Sequence, residues 1–357
     1  MIPSINKKSM RLLILTQKVD QNDDVLGFFH GWIAEFAKHC EQVTVIALGV
    51  GEYHLPKNVR VFSLGKERGV SRLSYLFSFY RLIWRERKNY DVVFVHMNPV
   101  YVILGGLLWR AWKKNIGLWY THKHVDMKLR IAEKLSHTIF TASSESFRLM
   151  SNKIKVVGHG INIETFKPTE KRGNEVFRIV TAGRISPVKD YQTLIEAVAI
   201  IVQDHISVKV DIVGGPATAA DKDYLEVLRA LVHKKNLEQV IRFVGSVPNK
   251  ELPVYLERAD IFVNMSRTGS LDKAVLEAMA SGVPVVTSNE ALREVLGPDA
   301  QSLMFTTGSA NECSERIKSV QALSLAERRI LAGRLHDVVE KEHNSKMLIP
   351  RILDILV

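Results

Sequence analysis

Short runs rich in Val, Ile, Leu and Phe alternate with longer amphipathic segments along the chain, and this alternation limits the fold more than any other feature. In the first half the apolar runs fall at 12–16, 43–48, 59–64, 91–97, 116–121 and 137–141, with helical patterns between them at 25–39, 71–88, 100–112 and 125–135. Continuous apolar runs predict strands covered on both faces, and the helical segments between them predict crossovers in a parallel sheet. After the polar stretch 167–175 the pattern restarts, with strands at 177–182, 208–213, 241–244, 261–264 and 283–287 and helices at 191–203, 221–235, 250–258 and 273–281. About the last 35 residues read as helical. At 357 residues the chain exceeds the roughly 250 to 300 residues that one hydrophobic core serves. The predicted class is α/β, with two Rossmann-like parallel-sheet domains. Residues 1–168 form the first, completed by 341–357 as the C-terminal helix crosses back, and 169–340 form the second. Ligands of such sheets bind at strand carboxyl ends, so a site is expected in a cleft between the two.

Composition excludes several classes. The chain is 46% hydrophobic and 24% charged, an ordinary globular balance without low-complexity arms. Its longest apolar run, 100–109, is closed by Arg110 and falls short of the roughly 20 residues of a membrane span, so it reads as a buried helix. Residues 2–8 lack the apolar core of a secretion signal, and Cys40 and Cys313, far apart and in apolar contexts, read as buried reduced thiols; a cytoplasmic protein is expected. The net charge of +11 sits in the first half: residues 1–170 hold 25 Lys+Arg against 14 Asp+Glu, and residues 171–357 hold 24 of each. No helix-turn-helix, zinc or aromatic-basic RNA pattern accompanies that charge, so nucleic acid is not an expected partner. The segment 71–88 is a basic amphipathic helix carrying Leu73, Phe77, Tyr80 and Trp84 with Arg81, Arg85 and Lys88. Packing of its apolar side on the sheet is the favoured reading, and peripheral contact with an anionic membrane at its inner face is the alternative.

Candidate chemistry lies in the loops after strands of the second half. Gly183-Arg184 and Lys189 put two cations in the turn after strand 177–182, before a helix with Asp190 at its N-cap position, and suit a leaving diphosphate. Gly214 and Gly215 end the next strand, where backbone can approach a ligand. Ser246 and Val247 follow Gly245 and present backbone groups to a base edge. The richest stretch runs from Asn264 through Gly269, Ser270, Leu271, Asp272, Lys273 and Glu277 to Val286, reading strand, polar loop, helix, Gly stop, strand. Amides at that helix start favour an anion, and Glu277 one turn in can accept sugar or ribose hydroxyls, although Lys273 and Glu277 are also spaced as a surface ion pair. His122 and His124 lack an acidic or Cys partner at metal-site spacing, so no metal is expected.

In this order and spacing the motifs resemble the large retaining branch of GT-B glycosyltransferases, glycosyltransferase family four, over nearly the whole chain. Gly183-Arg184 with Lys189, Val213-Gly214, Phe243-Val244-Gly245, Ala259 to Val263 and Leu276 to Val286 carry the likeness. The resemblance implies a retaining, metal-independent, cofactor-free hexosyltransferase that takes a nucleotide sugar, a UDP- or GDP-sugar, to a glycan or lipid-linked acceptor. It implies diphosphate contacts from Arg184 and Lys189, ribose contact from Glu277, sugar and phosphate contacts from the amides of residues 270–273, and a first-half contribution from Gly27 and from His122, which orients the sugar. His159 to Asn162 and Phe166 resemble the connector into the second domain. Two departures stand out. Phe28 replaces the second glycine of the usual pair, which narrows the acceptor side, and Gly269 replaces the first Glu of the motif Glu, seven residues, Glu. Asp272 is expected to take over part of that Glu's contact with sugar hydroxyls. A nucleotide-sugar epimerase and a non-catalytic nucleotide-sugar-binding partner are the alternatives on this fold.

Overall fold

The computed structural model describes residues 10–169 and 176–357; the N-terminal residues 2–8 and residues 170–175 of the polar stretch lie outside the described residues. The chain divides into two compact units, Met1–Gly160 with Asn344–Val357, and Ile161–His343. The sequence pattern predicts these divisions at 168/169 and 340/341. The observed first division falls inside the His159 to Asn162 connector.

The first unit runs β1 (Arg11–Val19), α1 (Gly27–His39), β2 (Gln42–Val50), β3 (Val59–Ser63), α2 (Arg72–Arg85), β4 (Val92–His96), α3 (Pro99–Ala111), β5 (Asn115–Trp119), α4 (Met127–Leu135), β6 (Thr138–Thr141) and β7 (Ile154–Val156). Its strands pair in parallel in the order β3-β2-β1-β4-β5-β6-β7. Strand residues 12–15 and 92–96 are fully buried, as a sheet covered on both faces requires. Leu13, Leu15, Val93, Val95 and Ile116 point to one side, where Phe79, Leu82 and Ile83 of α2, Trp109 of α3 and Leu129 of α4 close the core.

The second unit runs β8 (Phe177–Ala182), α5 (Tyr191–Gln203), β9 (Val208–Val213), α6 (Ala219–Lys234), β10 (Ile241–Gly245), α7 (Leu252–Arg258), β11 (Ile261–Asn264), α8 (Lys273–Ala280), β12 (Val285–Thr287), α9 (Arg293–Leu296), α10 (Ala300–Leu303), α11 (Ala310–Ala322) and α12 (Leu325–Glu342). These five strands are also parallel, in the order β10-β9-β8-β11-β12.

The last helix, α13 (Ser345–Leu356), belongs to the first unit. Its Leu348, Ile349, Ile352, Leu353 and Leu356 are buried at helical spacing against α1, β5 and β6. Asn115 Nδ2 donates to Leu356 O at 3.1 Å, and Arg351 Nη1 to Val157 O at 3.0 Å.

Two expectations change. The three-residue β7 carries no apolar run long enough to announce it, yet it extends the sheet beside β6. On α2 the core takes only Phe79, Leu82 and Ile83; Leu73, Phe77 and Trp84 are exposed, as is Leu107 of α3. Cys40 and Cys313 are both free and buried, and burial pushes the Cys40 thiol up to about 12. Among the described residues no helix is long and apolar enough to cross a membrane.

All five tryptophans lie between positions 32 and 119, so Trp fluorescence reads the first unit alone. Leu353→Ala removes a side chain that is 1% exposed, and is expected to cost that unit about 2–5 kcal/mol. The fluorescence midpoint in urea should fall; an unchanged midpoint would show that α13 does not complete this core.

Candidate functional site

In the second sheet the chain leaves β8 toward β9 and β10, then returns to β11 and β12 on the other side. Loops after β8 and β11 therefore diverge at a topological switch point, where a doubly wound sheet leaves a crevice outside its strand carboxyl ends. On the β9 side the loops meet backbone to backbone. Gly183 N donates to Val213 O at 2.9 Å, Ile185 N to Gly215 O at 3.0 Å and Gly214 N to Gly245 O at 2.8 Å. Gly214 has φ +139°, and a Cβ on it would lie 1.9 Å from Gly183 O, so only glycine fits there. Ser246 and Val247 continue from Gly245, the first exposed and the second half-buried.

On the β11 side the stitching is ionic. Lys189 Nζ lies 2.8 Å from each oxygen of Asp272, and the two side chains are only 16% and 15% exposed. Asn264 Nδ2 donates to Asp272 Oδ2 at 3.0 Å, and Asn264 Oδ1 accepts from the Thr287 hydroxyl at 3.0 Å. Asn289 then joins Thr287 Oγ1 through its amide and Ser270 O through its side chain, at 3.0 and 2.8 Å. A second ion pair runs parallel: Arg267 Nε and Nη2 donate to Asp190 Oδ2 at 2.9 and 2.7 Å, while Arg267 N donates to Val188 O at 2.9 Å. Burial pushes the Asp272 carboxyl up, but the Lys189 ammonium and the donors Lys189, Asn264 and Ser266 outweigh it and hold the carboxyl below its ordinary value.

This geometry revises three readings. Asp272, expected to accept sugar hydroxyls, has both oxygens engaged by Lys189 and Asn264 instead. Asp190 occupies the N-cap position of α5 in a left-handed conformation, φ 52°, but its carboxylate binds Arg267 and the Thr193 hydroxyl (2.8 Å) and caps no amide. Lys273 and Glu277 do pair, yet not on the surface: Glu277 is 2% exposed, and its Oε1 also accepts from Asn249 Nδ2 at 2.9 Å. Both bonds fall on Oε1, which leaves Oε2 as the oxygen for a hydroxyl ligand.

Arg184, in the loop after β8, is half-exposed with its Nε 4.0 Å from Asp221 Oδ2, so most of its fork stays open to solvent. Gly269, at φ 60°, Ser270 and the buried Leu271 lead into α8, whose N-cap residue Asp272 caps none of the first-turn amides. The second unit thus brings together Gly183, Arg184, Lys189, Gly214 and the run 269–277. Gly27 and His122 belong to the first unit. Gly27 opens α1 with its amide on Asp23 O at 3.1 Å, and His122 is exposed after β5 with its ring edge-on to Tyr120 at 5.7 Å. Asn249, Thr287 and Asn289 are not among the residues singled out from sequence, and Asn264 and Arg267 fall in the singled-out stretch without a role; the available signal is polar residues set at or just after the ends of apolar strands. Among the described residues no group of three or more His, Cys, Asp or Glu could hold a metal ion.

Residues 162–334 match the family model described as glycosyl transferases group 1. The second unit is a group 1 glycosyl transferase domain. A D-inositol 3-phosphate glycosyltransferase of Streptomyces scabiei (strain 87.22) is 28% identical over 151 residues, covering 39% of this chain and 34% of that protein. An MMP alpha-(1->4)-mannosyltransferase of Mycolicibacterium hassiacum is 26% identical over 208 residues, covering 56% and 48%. The chain thus spans half or less of the length of these curated relatives. Among solved structures, Anabaena HepE in complex with UDP superposes with a TM-score of 0.75 at 18% identity, covering 97% of this chain and 99% of that one. Sucrose-phosphate synthase of Thermosynechococcus elongatus gives 0.77 at 15% identity, covering 97% and 98%. These likenesses show the fold, and the chain has GT-B architecture built from two Rossmann-like units.

Within the group 1 domain the Lys189–Asp272 pair gives a test by pH. A carboxyl held below its ordinary value stabilises the fold fully above its unfolded pKa, near 4, and that contribution is lost as pH falls through the folded value. Asp272→Asn strands a buried ammonium and is expected to cost about 3 kcal/mol at neutral pH. The gap in thermal midpoint between wild type and variant should narrow below about pH 4. A gap that stays constant from pH 7 to pH 3 would sink the assignment.

Proposed function

We propose that this chain is a hexosyltransferase that moves a sugar from a UDP- or GDP-sugar to a glycan or lipid-linked acceptor, with retention at the anomeric carbon and without metal or cofactor. One observation carries the reading: Lys189, in the loop that also carries Arg184, reaches across the switch point to Asp272 at the start of α8, where Lys273 pairs with the buried Glu277. Arg184 offers a planar fork to the diphosphate. Lys189 spends two of its three donors on Asp272 and keeps one for a phosphate oxygen. The amides at the start of α8 add the positive end of the helix dipole, so charge growing on the leaving diphosphate is met by groups already in place. Glu277 Oε2 accepts from the ribose hydroxyls, and backbone of Ser246 and Val247 meets the base.

In the reaction the bond from the anomeric carbon to the diphosphate oxygen breaks, and a bond to the acceptor oxygen forms on the same face. The acceptor's proton passes to the leaving phosphate oxygen, so no side-chain base is required. His122 orients the sugar, and the first unit, where the charge excess lies, takes the acceptor and makes peripheral contact with an anionic membrane at its cytoplasmic face. The glycosyltransferase names of the relatives, and the UDP bound to HepE, support this reading.

The engaged oxygens of Asp272, with Gly269 in place of a carboxylate, favour a second reading, a nucleotide-sugar binder without transfer. A panel of UDP-, GDP- and ADP-sugars separates the two. Transfer requires nucleoside diphosphate release with acceptor extract, whereas the binder gives only a thermal shift. Absence of both with every donor would end both readings. Arg184→Ala, on a half-exposed side chain, should leave the melting point unchanged and weaken donor binding roughly 10- to 100-fold, the worth of one charge-assisted contact.

A further inference from the structure

The face of the first unit formed by α2 and α3 leaves large apolar side chains in solvent. Leu73, Leu76, Phe77, Tyr80 and Trp84 fall at i, i+3, i+4, i+7 and i+11, one continuous stripe. Leu73 is 78% exposed, Phe77 70%, and Leu107 on α3 71%. The two helices present one surface, because Tyr80 Oη donates to Leu104 O at 3.1 Å and the Trp84 ring stands edge-on to Trp112 at 5.6 Å. The core already takes Phe79, Leu82 and Ile83 from the opposite side of α2, so the stripe is additional to what folding needs.

The charge around the stripe has one sign. Between Ser71 and Lys114 eight Lys and Arg stand against Glu86 and Asp91. Both acids are spent: Glu86 is buried and pairs with Arg60 and Arg85, and Asp91 pairs with Arg11. Arg87 lies over the exposed Trp84 ring at 4.6 Å, which puts a guanidinium group in the same layer as the stripe. A protein interface also gathers Trp, Tyr and Arg, but it depletes Lys. A bilayer interface sets a continuous plane of anionic headgroups a few ångströms above acyl chains, and so matches a one-sign rim of Arg and Lys around exposed aromatic and aliphatic side chains.

We propose that the α2–α3 face docks on an anionic lipid bilayer, with Leu73, Phe77, Trp84 and Leu107 entering the acyl boundary and Arg81 and Lys88 meeting headgroup phosphates. This deepens the membrane contact proposed above; the binding itself stands apart from any donor. Arg81 and Lys88 are exposed, and Arg81 follows the stripe by one residue.

The full chain, sedimented with vesicles containing phosphatidylglycerol at low salt, should pellet, and should remain in solution with pure phosphatidylcholine. Leu73→Ser, Phe77→Ser and Leu107→Ser combined should weaken binding at least tenfold, and Arg81→Gln or Lys88→Gln roughly fivefold each. Trp fluorescence unfolding and the thermal shift with UDP check that these exposed substitutions leave both units folded. Failure of wild type to pellet, or a triple variant that pellets like wild type, overturns the proposal. So does a dimer in solution that the triple substitution dissolves, because the stripe then belongs to a second copy. A chain that binds vesicles but shifts with no nucleotide sugar keeps the membrane face and loses the transferase reading.

Discussion

A largely buried ion pair holds the carboxyl end of the second sheet together. Taking an ammonium and a carboxylate out of water costs several kcal/mol per ion unless the geometry is close and spare donors are met. Here Lys189 meets both oxygens of Asp272, and Asn264 adds a third bond. The pair joins the loop after β8 to the loop after β11, and the chain Asn264–Thr287–Asn289–Ser270 extends the tie past β12. Arg267 and Asp190 repeat the tie between the first two loops. With those loops fixed, Arg184 rides on a held backbone, and the start of α8 is braced by Asp272 on one side and by the Lys273–Glu277 pair on the other. That is the preorganisation a site needs if it is to meet a developing negative charge without rearranging.

The first unit is built on a different principle. Its carboxyl edge is closed by packing: His96 stacks on Phe29 at 3.8 Å, Trp32 stands on Trp119 at 4.9 Å, and Trp32 Nε1 donates to Gly160 O at 2.8 Å. Burial pushes the His96 imidazole down to about 3, so it stays neutral, with Nδ1 beside the Thr16 hydroxyl at 3.2 Å. Charge is kept on the outside, where the helices α2 and α3 carry it together with apolar side chains. The first unit also pairs charge at a strand end, Lys18 with Asp20 and Asp23 after β1, and in addition displays unbalanced charge on a helical face.

How much of this was legible follows from what each feature depends on. Apolar periodicity depends on burial alone, so the two sheets and nearly all of their strands could be read, whereas β7, three residues held by pairing with β6, could not. Gly214 and the Gly183-Arg184 turn were legible because close backbone approach admits few residue types. The pairing of Lys189 with Asp272 was not, since the residues are 83 apart and become neighbours only once β8 and β11 lie side by side. For the same reason Asp272 read as a free acceptor. On α2 the apolar residues fit two faces at once, and only burial separates Phe79, Leu82 and Ile83 from Leu73, Phe77 and Trp84.

Gly269 shows how a missing side chain reshapes a site. It stands where the resemblance expects a carboxylate, and its backbone adopts φ 60°, a region that costs a residue with a Cβ about 1 kcal/mol. Asp190 and Met97 adopt the same region in this chain, at φ 52° and 62°, so glycine eases this turn and is not required by it. Ser270 O, one residue on, is held by Asn289, and the loop then hands directly to Asp272, whose charge is already spent on Lys189. What remains at this end of the crevice is backbone amide and hydroxyl, from residues 268 to 273. The amides donate to a phosphate or sugar oxygen, while the hydroxyls of Thr268 and Ser270 both donate and accept, so under the proposed reading a sugar here meets both kinds of partner without a carboxylate at position 269.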